Sequence, residues 1–176
     1  MEQPSVDALP DAKEVAGGDR YFEHLKKIND TFYDQIKIAD QKAAFIFTFM
    51  LAFLVTSPEG RDVFKLERYL TAGLPSALLS AVLALAATVA LVCAVLVVLP
   101  RHRATPTSLY WGSWETSAAA LVAARDSGDE AYVFNEYLAN AGNLSAINRS
   151  KYRFVRLAFR SLFVTVVAYV LILALR

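Results

Sequence analysis

"IKIADQKAAFIFTFMLAFLVT", residues 36–56, begins as an amphipathic stretch and turns almost wholly apolar from Ala43, with Asp40 and Lys42 at the join. Read backwards from the join, apolar or packing positions recur three and four residues apart: Phe22, Leu25, Asn29, Phe32, Ile36 and Ala39. Read forwards, Ala43, Ile46, Met50 and Phe53 continue the same seam, and no proline intervenes until Pro58. Such spacing keeps one face of a helix turned inward. The pattern therefore predicts one helix, capped at Asp19, that leaves water and enters a bilayer without a break. At about 1.5 Å per residue it would be about 55 Å long, enough for a span and a stalk of similar length. Asn29 is a polar residue on the seam, where it can fix register or oligomer state at some cost in stability. The seam has two possible partners, a second copy or the protein's own later cytoplasmic segment, and the spacing does not choose between them.

Hydrocarbon about 30 Å thick requires about 20 apolar helical residues. Three blocks approach that length: 43–56, 70–99 with Pro75 in its first turns, and 161–175. The outer two are short. A hydrophobic fraction of 56% and a mean hydropathy of +0.36 lie above those of a soluble domain and are concentrated in these blocks, which places the chain among membrane proteins. The expected organisation is a disordered tail at 1–18, a stalk helix at 19–42, spans at 43–57, 70–99 and 157–175, an extracytoplasmic loop at 58–69 and a cytoplasmic helical segment at 100–156. The fold class is all-α, an integral membrane protein whose first and third spans continue as cytoplasmic stalks.

Within 100–156, residues 101–110 read as a connector, Ser113 as the cap of a helix through Ala124, "DSGD" as a turn and Asp129 as the next cap. Phe134, Tyr137, Ala141, Leu144, Asn148, Lys151, Val155 and Ala158 then step by three and four into the third span, past Gly142 and Asn143, which either end the helix or weaken it. In the middle span Ala77, Ala81, Ser80, Ala84, Ala86, Ala90 and Ala94 provide the small-residue spacing that lets helix backbones approach in lipid.

Basic loops remain in the cytoplasm. Lys26, Lys27, Lys37 and Lys42 precede the first span, and Arg101, Arg103, Arg125, Arg149, Lys151, Arg153, Arg156 and Arg160 separate the second from the third. The loop between the first two spans offsets Arg61, Lys65 and Arg68 with Glu59, Asp62 and Glu67. Both the N-terminus and the 100–156 segment are accordingly expected inside, and the C-terminus outside. Lys42 and Arg160 have arms long enough to reach the headgroups. Asp40 does not, and needs either Lys37 one turn back or a basic residue on the third helix.

A formal net charge of only +1 gives no footprint for nucleic acid. Cys93, the single cysteine, excludes an internal disulfide, and His24 and His102 have no metal-ligand spacing. No phosphate-cradling glycine loop or paired catalytic carboxylate is present, so no enzyme, metal site or cofactor is expected.

"IADQKAAFIF" at 38–47 resembles the Asp-x-Lys-Ala signature that opens the first membrane helix of the Pycsar effector transmembrane family, and "NRSKYRFVRLAFRSL" at 148–162 resembles its basic and aromatic approach to the last span. The order of elements is also similar, over roughly residues 20–175. The resemblance implies a bacterial antiphage effector of the inner membrane, functionally linked to a nucleotide cyclase. It also implies activation by cyclic UMP or cyclic CMP as regulatory ligand, and a homo-oligomer that impairs the membrane and so aborts infection. Given that implied ligand, an anionic phosphate and a flat base call for cations and aromatic faces. Lys42, Arg149 and Lys151 are the candidate cations, and Trp111, Trp114 and Tyr152 the candidate aromatic faces. Asp40 and Asn29 are assigned interfacial, structural roles. A non-catalytic adaptor whose spans anchor an oligomeric stalk for a protein partner accounts for the seam and the small-residue face equally well.

Overall fold

The computed structural model describes the backbone of residues 12–100 and 106–175, with side chains from 18; the expected tail at 1–18 is helical from Ala12 and otherwise lies outside the described residues, as do the cations at 101–103. The described residues are all-helical: α1 (Ala12–Thr56), α2 (Pro58–Asp62), α3 (Glu67–Thr71), α4 (Leu74–Val98), a 3-10 turn at Trp111–Ser113, α5 (Trp114–Ser127) and α6 (Glu130–Ala174). Three of these are long and apolar enough to cross a membrane: α1, α4 and α6.

Helix α1 starts before Asp19, which lies inside it rather than capping it. It runs unbroken through the join at 37–43, as α6 does through 153–161. Gly142 does not end α6, because the helix continues to Ala174 and a Cβ at that position would meet nothing nearby. Asp129 caps α6, its carboxylate accepting from the Tyr132 amide at 3.2 Å. Gly128 closes α5 at φ +70°, the left-handed conformation that a side chain resists.

Every residue of the α1 seam from Phe22 to Phe53 is buried or half-buried. On α6, Tyr137, Ala141, Leu144, Asn148, Lys151, Val155 and Ala158 turn inward as well, but Phe134 is exposed, so the seam starts one step later than its spacing suggests. On α4 the inward positions include Ser80, Ala86, Ala90 and Ala94, whereas Ala81 faces out. The apolar block from Leu70 is divided: α3 ends at Thr71, Gly73 caps α4, and Pro75 sits in its first turn, where a missing amide costs nothing.

The chain forms two compact units. The first comprises 1–33 and 103–144, and its buried residues include Leu25, Asn29, Ala124 and Ala141. The second comprises 34–102 and 145–176. Its main core joins Ala39, Ala43, Ile46 and Met50 of α1 to Ala87, Ala90, Cys93, Ala94 and Val97 of α4 and to Val155 and Ala158 of α6. Small side chains dominate that core while Phe45, Leu85 and Phe163 point outward. In water this would invert the usual distribution; in lipid, close backbone packing supplies the attraction and large apolar side chains meet acyl chains. A second cluster, Val63, Leu83, Ala168 and Ile172, closes the far end of the same unit.

Candidate ligand site and its structural frame

The last carbonyls of a helix have no partner within it. At the end of α4 the Leu99 amide takes the Val95 carbonyl at 3.1 Å, but no basic residue lies in the last turn to serve the others. Lys151 of α6 does so from outside, its ammonium donating to the Val97 carbonyl at 2.8 Å and also to the Asp40 carboxylate. One cation thereby joins α1, α4 and α6 at a single level, and it also sits at the negative end of the α4 dipole. Lys151 is 5% exposed whereas the Asp40 side chain retains 36%, so the lysine is the committed partner and the aspartate still meets solvent. Of the two partners open to Asp40, the structure selects the one on the third helix.

Lys42 is exposed beside this knot, its ammonium 5.9 Å from the Tyr152 ring centroid, at the outer edge of the cation–π range of about 6 Å. Arg149 is exposed one turn before Tyr152, and residues three apart on a helix share a side. Lys42 is therefore an accessible cation at the edge of the Tyr152 ring, and Arg149 a second exposed cation one helical turn away on α6. Lys151 is buried in the knot rather than offered at the surface. Arg149, Arg153, Arg156 and Arg160 are all exposed and make no ion pair with a carboxylate among the described residues.

The first unit has its own polar core. Asn29 donates to the Leu25 carbonyl at 2.9 Å and to the Tyr137 carbonyl at 3.1 Å, and accepts from Asn140 at 2.8 Å. A buried amide satisfied on both sides fixes the α1–α6 register within one chain. Phe22 meets Tyr137 edge-on at 5.3 Å, and Lys26 lies over Phe22 with Glu23 beside it, holding the ammonium above its ordinary pKa. The Ser113 hydroxyl makes no cap to α5; it donates to the Thr107 carbonyl at 2.6 Å and accepts from the Thr107 amide at 3.2 Å, closing the 107–113 turn. Glu136 of α6 anchors that turn by accepting from the Ser108 amide. Trp111 is 82% exposed and Trp114 52% exposed, and the Tyr110 ring fills the space where a side chain at Gly112 would stand. Trp111 and Trp114 belong to the first unit, and Lys42, Arg149, Lys151 and Tyr152 to the second.

Sequence reasoning missed Glu136 and the Val97 carbonyl. The signal for the carbonyl was present in α4, an uncharged helix with no basic residue in its last turn and Leu99 rather than glycine at its C-cap. Among the described residues no group of three or more His, Cys, Asp or Glu is arranged to hold a metal ion.

A family model described as Pycsar effector protein domain matches residues 24–176. Comparison with curated proteins and with solved structures finds no match.

Proposed function

Because this chain belongs to the Pycsar effector family, antiphage membrane effectors that are activated by cyclic nucleotides and carry no catalytic domain, we propose that it senses cyclic UMP or cyclic CMP and then impairs the inner membrane. The observation that carries this reading is the Lys42, Tyr152 and Arg149 group beside the three-helix knot. A cyclic mononucleotide presents one negative charge and a flat base. Two exposed cations suit its phosphate, and the Tyr152 face suits the base, at about 1 to 3 kcal/mol for stacking. Lys151, already held by Asp40 and Val97, positions α6 rather than contacting the ligand. Trp111 and Trp114 are a second aromatic surface available to the same class of ligand.

In this reading, the nucleotide stabilises one arrangement of the stalk helices, since only differential affinity shifts such an equilibrium. Helices α1 and α6 carry the change into the bilayer, and the active form is a homo-oligomer. The uncharged stretches 43–56 and 161–174 rise only about 21 Å each, well short of the about 30 Å of hydrocarbon. Gathering several copies with such short spans thins or opens the membrane around them.

Protein reconstituted into dye-filled liposomes is expected to release dye with cyclic UMP or cyclic CMP and not with cyclic AMP. Liposomes that stay intact with all three favour the anchored adaptor instead. The orientation in this reading places the N-terminus and 100–156 in the cytoplasm. In cells, a cysteine at Lys65 is then expected to react with an impermeant maleimide added outside and a cysteine at Arg125 to be protected; the reverse pattern inverts the topology.

A further inference from the structure

The segment joining α1 to α4 reads in the sequence as an aqueous loop, yet beside its exposed Arg61, Lys65 and Glu67 it turns large apolar side chains outward. Phe64, Leu66 and Leu70 are 53%, 73% and 76% exposed, and Leu74, which opens α4, is 75% exposed. We propose that residues 57–73 are embedded in the boundary of the bilayer as a collar, with Phe64, Leu66 and Leu70 in contact with acyl chains.

Three observations carry the assignment. The first is depth. From the level at which Asp40, Lys151 and Val97 meet, residues 40–56 of α1 rise about 24 Å, whereas 74–97 of α4 and 151–174 of α6 each rise about 35 Å. Helix α1 stops about 10 Å short of its neighbours, and the collar occupies that missing height. Val63 packs with Leu83, Ala168 and Ile172, and Arg68 donates to the Ser80 hydroxyl at 3.2 Å. Ser80 and Leu83 lie about two turns inside the start of α4, not beyond it.

The second observation is the backbone. Irregular backbone is tolerated at membrane depth only where its polar groups are satisfied within the protein. The amides of Val63, Phe64, Lys65, Arg68 and Tyr69 all bond to carbonyls three or four residues back. The Ser57 hydroxyl serves the Gly60 amide at 3.1 Å, and the Tyr69 hydroxyl donates to the Val63 carbonyl.

The third is continuity. Leu70 and Leu74 run directly into Leu78, exposed on the same span, so the collar extends the lipid-facing surface already formed by α4. Of its charges, Glu59 is buried and accepts from the Ser57 hydroxyl at 3.4 Å, Asp62 pairs with Lys65 at 2.8 Å, and Arg61, Glu67 and Arg68 lie on long arms suited to the headgroup boundary.

The test uses the full-length protein with Cys93 replaced by alanine, reconstituted into liposomes without nucleotide, so its outcome is independent of ligand sensing. Single cysteines at Phe64, Leu66 and Leu70 and, as the polar control, at Lys65 are labelled with a nitroxide. Collision with oxygen, which concentrates in lipid, is compared with collision with a water-soluble nickel chelate. The first three positions are expected to show an oxygen-to-nickel ratio several-fold above that at 65. An equal ratio at all four positions returns the segment to water and overturns the proposal. Protection of 64, 66 and 70 from both reagents overturns it too, in favour of coverage by a second copy. Each replaced side chain is exposed, so folding is not at stake, and retained dichroism confirms it.

Discussion

Replacing Asp40 by leucine is expected to destabilise the membrane unit by about 3 to 5 kcal/mol, the penalty for leaving a buried charge without its counterion. Lys151 keeps the Val97 carbonyl in that variant, but one neutral acceptor does not compensate an ammonium that is 5% exposed. Replacing Lys151 by methionine is expected to cost less, about 1 to 3 kcal/mol, because the half-exposed Asp40 carboxylate can turn to water while the Val97 carbonyl is left unsatisfied. The double replacement removes both charges and is expected to recover most of the Asp40→Leu loss. Unfolding of the three variants in detergent, followed by helical dichroism against denaturant, measures the cycle. Two single losses that simply add in the double variant would show that the pair is not coupled and that the knot described above is incidental.

The second large effect concerns Lys42. Its exposed side chain anchors no buried partner, so reversing its charge is expected to leave insertion and stability unchanged. A charge-assisted bond to phosphate contributes about 1.5 to 3 kcal/mol, so Lys42→Glu is expected to weaken binding of cyclic UMP or cyclic CMP by at least about 10- to 100-fold, with repulsion adding to the loss. In cells expressing the protein with its cyclase, toxicity is then expected to vanish while the membrane fraction retains the normal amount of protein. Calorimetry with a nucleotide panel checks the affinity, and a plating assay checks the toxicity. Undiminished binding would make Lys42 an interfacial anchor, with Tyr152 as its cation–π support and nothing more.

Much of the frame was legible because period and length are strong signals. The α1 seam faces inward at every position from Phe22 to Phe53, and the two long helices cross the join without a break. Asp40, a short-armed charge near lipid, had to find a partner, and it found one on the third helix. Asn29 was legible as a register device but not in its partner, since Tyr137 and Asn140 lie more than a hundred residues away and only tertiary packing unites them. Ser113 stands at the N-cap position its place in the sequence predicts, but makes no side-chain cap, because a hydroxyl before a helix can serve a turn behind it as readily as an amide ahead of it. The collar was hidden for a different reason. Segments as short as α2 and α3 are too brief to display a period, and their charges imitate a loop in water. The candidate site was only partly visible: Lys42, Arg149 and Tyr152 could be named as types, but Lys151 belongs to the frame because of a carbonyl that carries no mark in the sequence.

The lysine that closes α4 belongs to α6, and α6 is translated last of the three. Until α6 is in place, the first two hydrophobic helices lack the cation that answers Asp40 and the donor that serves the end of α4. The third rod thus acts as a latch: a chain lacking residue 151 leaves both the Asp40 carboxylate and the Val97 carbonyl without the ammonium that joins them.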